Sequence, residues 1–536
     1  MPGDRPARAP GATARILRPM RSRTVLVALA LLLSACAQPA GATDKSARIL
    51  LGSPTTLDPA AAGDAGSSAF ISQLFESLTA FDADRQLQPA LAESWRLEEG
   101  GRRIVFHLRS GLTFSDDSPL RAADVVRSWF RIIDPQRPSP LVSLMLDVRG
   151  AGAYLAGSGT AADVGLRSDD TANDVIVDLL RPAADFATVV ASPTFAVVPP
   201  AVGTDAQALV PSTDFVASGG YRAASTTPEA IELVANPRYW AGTPAIGTIS
   251  AVTDLAGRST VAAFEDGSLD YTPISDFGAS WIGYDATLGP QLRAVPSLSV
   301  DYYGFDASRA PFDDERVRQA FAAAVDWRRI ATLALDDPAA VATSMVPPGI
   351  PGRSTADFVP AHDPAAARSL LAAAGYPGGA GFPAVTLMTG GSPYDDAVVA
   401  ELERELGIDI QPEVMDSEGY FNRLATDPPQ MWFLSWVADY PGRNDFLGVL
   451  LATGSTSNYG RWSSPDFDAA IAEAGATTDE ATASAAYDRA EAVVRDSAPL
   501  IPISYGSGWA LARDNLLGAG QNGLGWIRFA GLDLAP

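Results

Sequence analysis

The sequence predicts an α/β protein of two or more lobes. Three observations carry that expectation. At 536 residues the chain exceeds what one hydrophobic core holds. From Arg48 onward, short apolar strands alternate with stretches of helical periodicity. Helix-start and helix-stop residues punctuate that alternation as far as the C-terminal third.

In RRIVFHLRSGLTF, Ile104, Phe106 and Leu108 fall on one face of a strand, with Val105, His107 and Arg109 on the other. From Arg121 to Ile133, Ala122, Val125, Val126, Trp129 and Ile133 recur at helical spacing, and Asp134-Pro135 stops the helix. In HDPAAARSLLAAAGYPGG, Asp363 is an N-cap, Pro364 fits the first helical position and Gly375 ends the helix. Ser464-Pro465 and Gly475 repeat that pattern. Between them, AVTLM (384–388), a helix over 395–406, IDIQPEV (408–414), a short helix and MWFLSWV (431–437) read as a compact α/β lobe.

Hydrophobic content of 47% and charged content of 19% describe a globular chain, and a net charge of −24 speaks against nucleic acid as a partner. At the N-terminus, six arginines precede the apolar run Val25–Leu33, a charged region followed by a stretch too short to span a bilayer. Leu33-Ser34-Ala35-Cys36 follows, and Cys36 is the only cysteine. The arrangement resembles a bacterial lipobox, which implies a signal peptide over 1–35, a lipid on Cys36 and a tether over 36–46. Cleavage would delete six Arg and one Asp, a net +5, taking the charge from −24 to about −29. One cysteine allows no disulfide within the chain.

Enzyme motifs are missing. Lys45, the only lysine, stands in no Walker A context, and no G-x-S-x-G or H-E-x-x-H occurs. His107 and His362 lie far apart in sequence and suit structural roles. The G-x-G-x-x-G match at 518–523 has too little chain after it for a nucleotide-binding unit and reads as a loop. No catalytic residue, cofactor or metal is expected.

Several colinear stretches carry a family resemblance. TTLDP (55–59), LFESLTAFD (74–82), LQPALAESWRLEEGGRRIVFHLRSGLTFSDDSPLRAADVVRSW (87–129) and VANPRYWAGTP (234–244) begin it. YYGFDASRAPFDDERVRQAFAAAVDWRRIA (302–331), DPAAARSLLAAAGYPGG (363–379), the Trp436–Tyr440 stretch and RAEAVVRDSAPLIPISY (489–505) complete it. In this order they resemble the bacterial extracellular solute-binding proteins of family 5, the oligopeptide- and dipeptide-binding components of ABC importers.

The resemblance implies a two-lobed periplasmic-binding-protein-like clamp with its ligand cleft between the lobes. Lobe I would comprise 47–300 plus 506–536 and lobe II 301–505, with crossings near Ser299–Phe305 and Ile501–Tyr505. It implies a monomer that binds no nucleic acid. Held at the extracellular face of the cytoplasmic membrane by the lipid on Cys36, it would pass peptide to permease subunits.

Asp439 ends the apolar run and precedes Tyr440-Pro441-Gly442, so it is either a turn residue or the counter-charge of a cationic ligand. In the family's oligopeptide-binding branch, the aspartate of a matching W-x-x-D-Y stretch binds the peptide's α-ammonium. The resemblance therefore makes Asp439 the amine anchor, with Ser435, Trp436 and Val437 as a strand edge for the peptide. Glu76 and Ser77 are further pairing candidates. Tyr302 and Tyr303 either line the cleft or pack the hinge. For a peptide carboxylate, Arg461 and Arg423 are candidates, each with a solvated surface role as the alternative. Gly442-Arg443-Asn444-Asp445 departs from the usual family sequence after Asp-Tyr-Pro. An oligosaccharide or a nickel chelate is the alternative ligand, with Trp432, Trp436 and Trp462 as stacking surfaces for a sugar. A cell-surface hydrolase is the rival from another class.

Overall fold

The computed structural model describes residues 45–82, 86–183, 185–203, 208–335, 340–477, 479–520 and 527–535. Cys36, the leader 1–35 and the tether up to residue 44 lie outside them, as do 521–523 of the glycine-rich match. The tether is shorter than its expected end at 46. Ser46 opens the first strand, Ser46–Leu50, and Lys45 forms an ion pair with Asp533 at 2.5 Å.

A ten-stranded sheet runs through the molecule. Its order from one edge is Ile410–Val414, Val385–Thr389, Met431–Val437, Leu292–Phe305, Leu500–Ala512, Tyr271–Ile274, Ser46–Leu50, Thr248–Val252, Ala230–Ala235 and Tyr221–Thr226. The two central strands are 14 and 13 residues long and pair antiparallel. Their register shifts between Pro296 and Val300 and again between Asp301 and Tyr302. Each shift is a local bend in a strand pair. The expected chain crossings fall inside these strands, at the bends, and there we place the boundary between the lobes.

A second sheet of four strands contains Ala92–Glu98, Arg103–Leu108, Asp174–Asp178 and Leu166–Asp169. Ile104, Phe106 and Leu108 turn into its core, as their alternation predicts, around Trp129. Trp129 meets Phe106, Phe186 and Phe195 edge-on and donates from Nε1 to the Phe195 carbonyl at 2.9 Å. Its helix, Ala122–Phe130, ends earlier than the periodicity suggests. Ile132 and Ile133 are buried from a turn instead, so burial had mimicked helix there.

In the second half, the helix Asp395–Leu406 links the parallel strands Val385–Thr389 and Ile410–Val414 and ends on Gly407 at φ 68. The helix Ser417–Thr426 then leads into Met431–Val437. Asp363 caps Pro364–Ala373 by accepting from Ala365 N and Ala366 N, and Ser464 caps Pro465–Gly475 by accepting from Phe467 N.

Near the other end of the chain, Ile527, Phe529 and Leu532 join Phe70, Tyr221 and Ile249 in the core of the first lobe. A further apolar cluster draws on both halves: Ala69 and Phe81 meet Tyr302, Trp432 and Tyr505 in it, with Leu51 and Trp436 packed against it. Tyr440 and Val449 meanwhile enter the cluster built around Trp129. Residues of both halves thus share these two apolar clusters. Among the described residues no helix is long and apolar enough to cross a membrane.

Candidate functional site

The strand Met431–Val437 is held on one side only along its second half. It pairs antiparallel with 299–305 over its whole length, but with Val385–Thr389 only at Met431 and Trp432. Two backbone bonds fix which groups face which side: Ala438 N donates to Leu298 O at 2.9 Å, and Asp306 N donates to Gln430 O at 3.1 Å. Hydrogen-bonding directions alternate along a strand, so Trp432, Leu434 and Trp436 direct their main chain at the hinge strand. Phe433, Ser435 and Val437 direct theirs at the other edge. The Phe433 carbonyl there accepts from the Tyr420 hydroxyl. Ser435 and Val437 remain as an edge open to an extended chain. Both are exposed, and the Ser435 hydroxyl bonds to Asp301.

Past this edge lies Asp439. Its Oδ2 is buried without a hydrogen-bond partner, and so is Oδ1 of Asp445, whose whole side chain is withdrawn from solvent. The other Asp445 oxygen accepts from Trp436 Nε1 at 3.0 Å and from Asp439 N at 3.2 Å. Burial pushes Asp439 up to about 7. Burial likewise holds Asp445 well above the carboxylate range, and the neighbouring Asp439 charge adds to the effect. Two neighbouring carboxyls with oxygens withdrawn from water cannot both stay ionised without a counter-charge. Among the described residues no Arg, Lys or His forms an ion pair with either. The nearest cation in sequence, Arg443, is committed elsewhere: its guanidinium bonds Asp488 at 2.6 Å, Glu491 at 2.7 Å and the Gly352 carbonyl at 2.9 Å. Gly442 permits the tight turn between the two acids, since a Cβ there would meet the Tyr440 ring at 2.5 Å.

On the first lobe, a small pocket of about 30 Å³ is lined by Ser72, Phe75, Glu76, Ser77, Phe81 and Arg528, among others. Glu76 is buried there with its carboxylate bonded to Arg528 at 2.7 Å and to the Tyr239 hydroxyl at 2.5 Å. Phe81 from this wall belongs to the apolar cluster against which Trp436 packs.

Residues 86–458 match the family described as "Bacterial extracellular solute-binding proteins, family 5 Middle". The chain belongs to this family. Its members are solute-binding proteins and not enzymes. The Escherichia coli (strain K12) protein named "Probable deoxycholate-binding periplasmic protein YgiS" is 30% identical over 471 residues, covering 84% of this chain and 86% of that one. The "Periplasmic murein peptide-binding protein MppA" of the same strain is 27% identical over 474 residues, covering 84% and 85%. The solved structure of E. coli MppA aligns with a TM-score of 0.80 at 24% identity, over 92% of this chain and 99% of that one. Haemophilus influenzae OppA in complex with RPPGFSPFR aligns at 0.78 and 22%, over 92% and 99%. These structural likenesses establish the two-lobed α/β fold.

Within this family-5 fold, the other expected site residues divide. Trp436 is half-buried beside the acid pair. Glu76 has little main chain to offer a ligand: its N–H donates to the Ser218 hydroxyl at 3.0 Å and its carbonyl accepts from Val197 N at 2.9 Å. The Ser77 carbonyl accepts from Leu91 N at 3.2 Å, and its hydroxyl donates to Ser192 O at 3.1 Å. Both serve the first lobe's own architecture.

Tyr302 and Tyr303 take the packing alternative rather than the cleft. Adjacent strand residues face opposite sides of a sheet, yet both sides are covered here and both rings are buried. Tyr303 packs at a tilt against Trp327 and Phe433 and donates to Asp395 at 2.7 Å. Arg461 is half-exposed at φ 49, with Nη1 at 3.9 Å from the buried Asp306. Arg423 pairs with Glu413 at 2.5 Å on the second lobe. Trp432 and Trp462 are buried in that lobe.

Sequence reasoning did not single out Arg528, 452 positions from Glu76, or the role of Asp445. The only signal for Asp445 was a second acid shortly after Asp439. The buried Arg443–Glu491 pair yields a stability prediction. Arg443→Ala leaves Glu491 buried and unpaired, and should cost about 3–5 kcal/mol by denaturant unfolding. Arg443→Ala/Glu491→Ala should recover part of that loss, because the two sites are coupled.

Proposed function

We propose that this chain is the lipid-anchored, peptide-binding receptor of an ABC importer, and that Asp439 binds the peptide's α-ammonium. One observation carries the reading: a buried carboxylate oxygen without a partner lies just beyond a strand edge open at Ser435 and Val437. An extended peptide lying along that edge exchanges main-chain hydrogen bonds with Ser435 and Val437, which is β-strand addition. Its amino terminus then meets Asp439. Trp436 directs its main chain at the hinge strand and contributes its ring. Relatives whose names print peptide binding, MppA among them, support the ligand class.

Other solutes of the fold fit this pocket less well. Deoxycholate, printed in the name of YgiS, is an anion at neutral pH, and the Asp439–Asp445 pocket repels anions. An oligosaccharide would want stacking surfaces, but Trp432 and Trp462 are buried and only Trp436 is partly open. Arg461, although partly exposed, is offset by Asp306, so no fixed clamp for a peptide carboxylate is assigned. The monomeric state, the lipid on Cys36 and the permease partner remain parts of this proposal.

Removing one partner of a desolvated charge pair costs about 2–5 kcal/mol. At about 1.4 kcal/mol per tenfold, Asp439→Ala should weaken tri-alanine binding by roughly 30-fold to several thousand-fold in calorimetric titration. N-acetyl-tri-alanine should bind wild type poorly, and the two losses should fall short of adding. Equal binding of free and acetylated peptide, or saturation by deoxycholate with no response to peptide, overturns the reading.

The anchor has its own test. Cys36→Ser should release the protein from the membrane fraction and leave the leader uncleaved at that cysteine. Unchanged membrane association and N-terminal processing would contradict the lipobox.

A further inference from the structure

We propose that Asp445 is the second half of the amine pocket. With Asp439 it forms a carboxyl pair that holds a shared proton when empty, and an arriving ammonium displaces that proton into solvent. The inference rests on the preceding reading of Asp439 and adds to it a partner and a coupling.

The geometry comes first. Asp445 is fully buried on the four-residue helix Arg443–Phe446, and its Oδ2 is occupied by the Trp436 and Asp439 N–H donors. Its Oδ1 and the Oδ2 of Asp439 are both buried without partners. A primary ammonium has three N–H donors, enough to satisfy both orphaned oxygens and one further acceptor.

No other charge close by can do this work. Arg443 faces away, to Asp488 and Glu491. Tyr459 is near enough to Asp439 for that carboxylate to raise its phenol further, after burial. Tyr440, buried, feels Asp185, then Asp445 and Tyr487, and all of these raise it. The Asp185 carboxyl is raised by its own burial and opposed by Arg181, whose guanidinium is bonded to Asp147 at 2.5 and 2.9 Å. The phenols stay neutral and the arginines are spent, so the acid pair must accommodate its own charge.

The charge balance is simple. With one shared proton the empty pair has a net −1. The ligand enters as R–NH3+ and keeps its three protons. The shared proton leaves to bulk water, and two carboxylates plus one ammonium again total −1. A dry pocket thereby exchanges one positive charge for another without changing its net charge, avoiding the penalty of burying an uncompensated ion.

The sign of the pH effect on the unliganded protein follows. Carboxyls at about 3.9 in the unfolded chain bind protons more tightly when folded, Asp439 at about 7. Between those values the folded state holds more protons than the unfolded one, so stability falls as pH rises from about 4 to about 7. Below that range the contribution is constant.

Two measurements test the proposal. In thermal unfolding of the unliganded protein from pH 4 to 8, Asp445→Asn should show a smaller loss of Tm with rising pH than wild type. In titrations of wild type with tri-alanine at pH 6, run in buffers of different ionisation enthalpy, at least about one proton should be released per peptide bound. Identical pH slopes for wild type and Asp445→Asn, or peptide binding with no proton exchange, would overturn the pair. A protein that binds no tri-alanine loses the peptide reading instead, and the unfolding slopes then decide the carboxyl pair by themselves.

Discussion

A carboxylate withdrawn from water is costly unless a positive charge or a proton comes with it, and that constraint organises the second lobe around Asp439. The strand leading to it is apolar and pinned along one side by the hinge strand. The turn after it is tight enough to require Gly442 and brings Asp445 against the same pocket. The only cation nearby in sequence is diverted into a separate buried cluster with Glu491 and Asp488. One oxygen of each acid is withdrawn from water, and among the described residues no protein cation pairs with either. A buried carboxyl without a partner is destabilising for the fold alone, and perturbed groups of this kind cluster at binding sites.

The fold supplies the setting for that pocket. Two long antiparallel strands with shifted register run through the middle of the large sheet. The bends at these shifts join the two halves of the sheet in one hydrogen-bonded structure. Tyr440, which directly follows Asp439, and Val449 pack into the aromatic core around Trp129.

Much of this was legible in the sequence. The caps at Asp363 and Ser464 stood where their residue types required, and MWFLSWV is a strand over the residues its apolar run marked. Local chemistry determines such features. The resemblance supplied the clamp, because lobe pairing depends on contacts too distant in sequence for periodicity to report. The ambiguity at Tyr302 and Tyr303 could not be resolved from one strand: alternation places them on opposite faces, and only the layers on both sides bury both. The task of Glu76 was hidden for another reason. Its partner Arg528 comes from the far end of the chain, and the pair shows only when the C-terminal segment packs back onto the first lobe. Asp445 was visible as a letter but not as a neighbour, since a turn's curvature decides whether two acids share a pocket.

If a ligand's ammonium neutralises the acid at Asp439 while its main chain extends the open strand, a crystal structure of the protein with tri-alanine should show it. The peptide amino nitrogen is expected within about 2.7–3.2 Å of Asp439 Oδ2, with the peptide main chain hydrogen-bonded to Ser435 and Val437. A peptide bound with its amino group in solvent, or lying away from that edge, would contradict it.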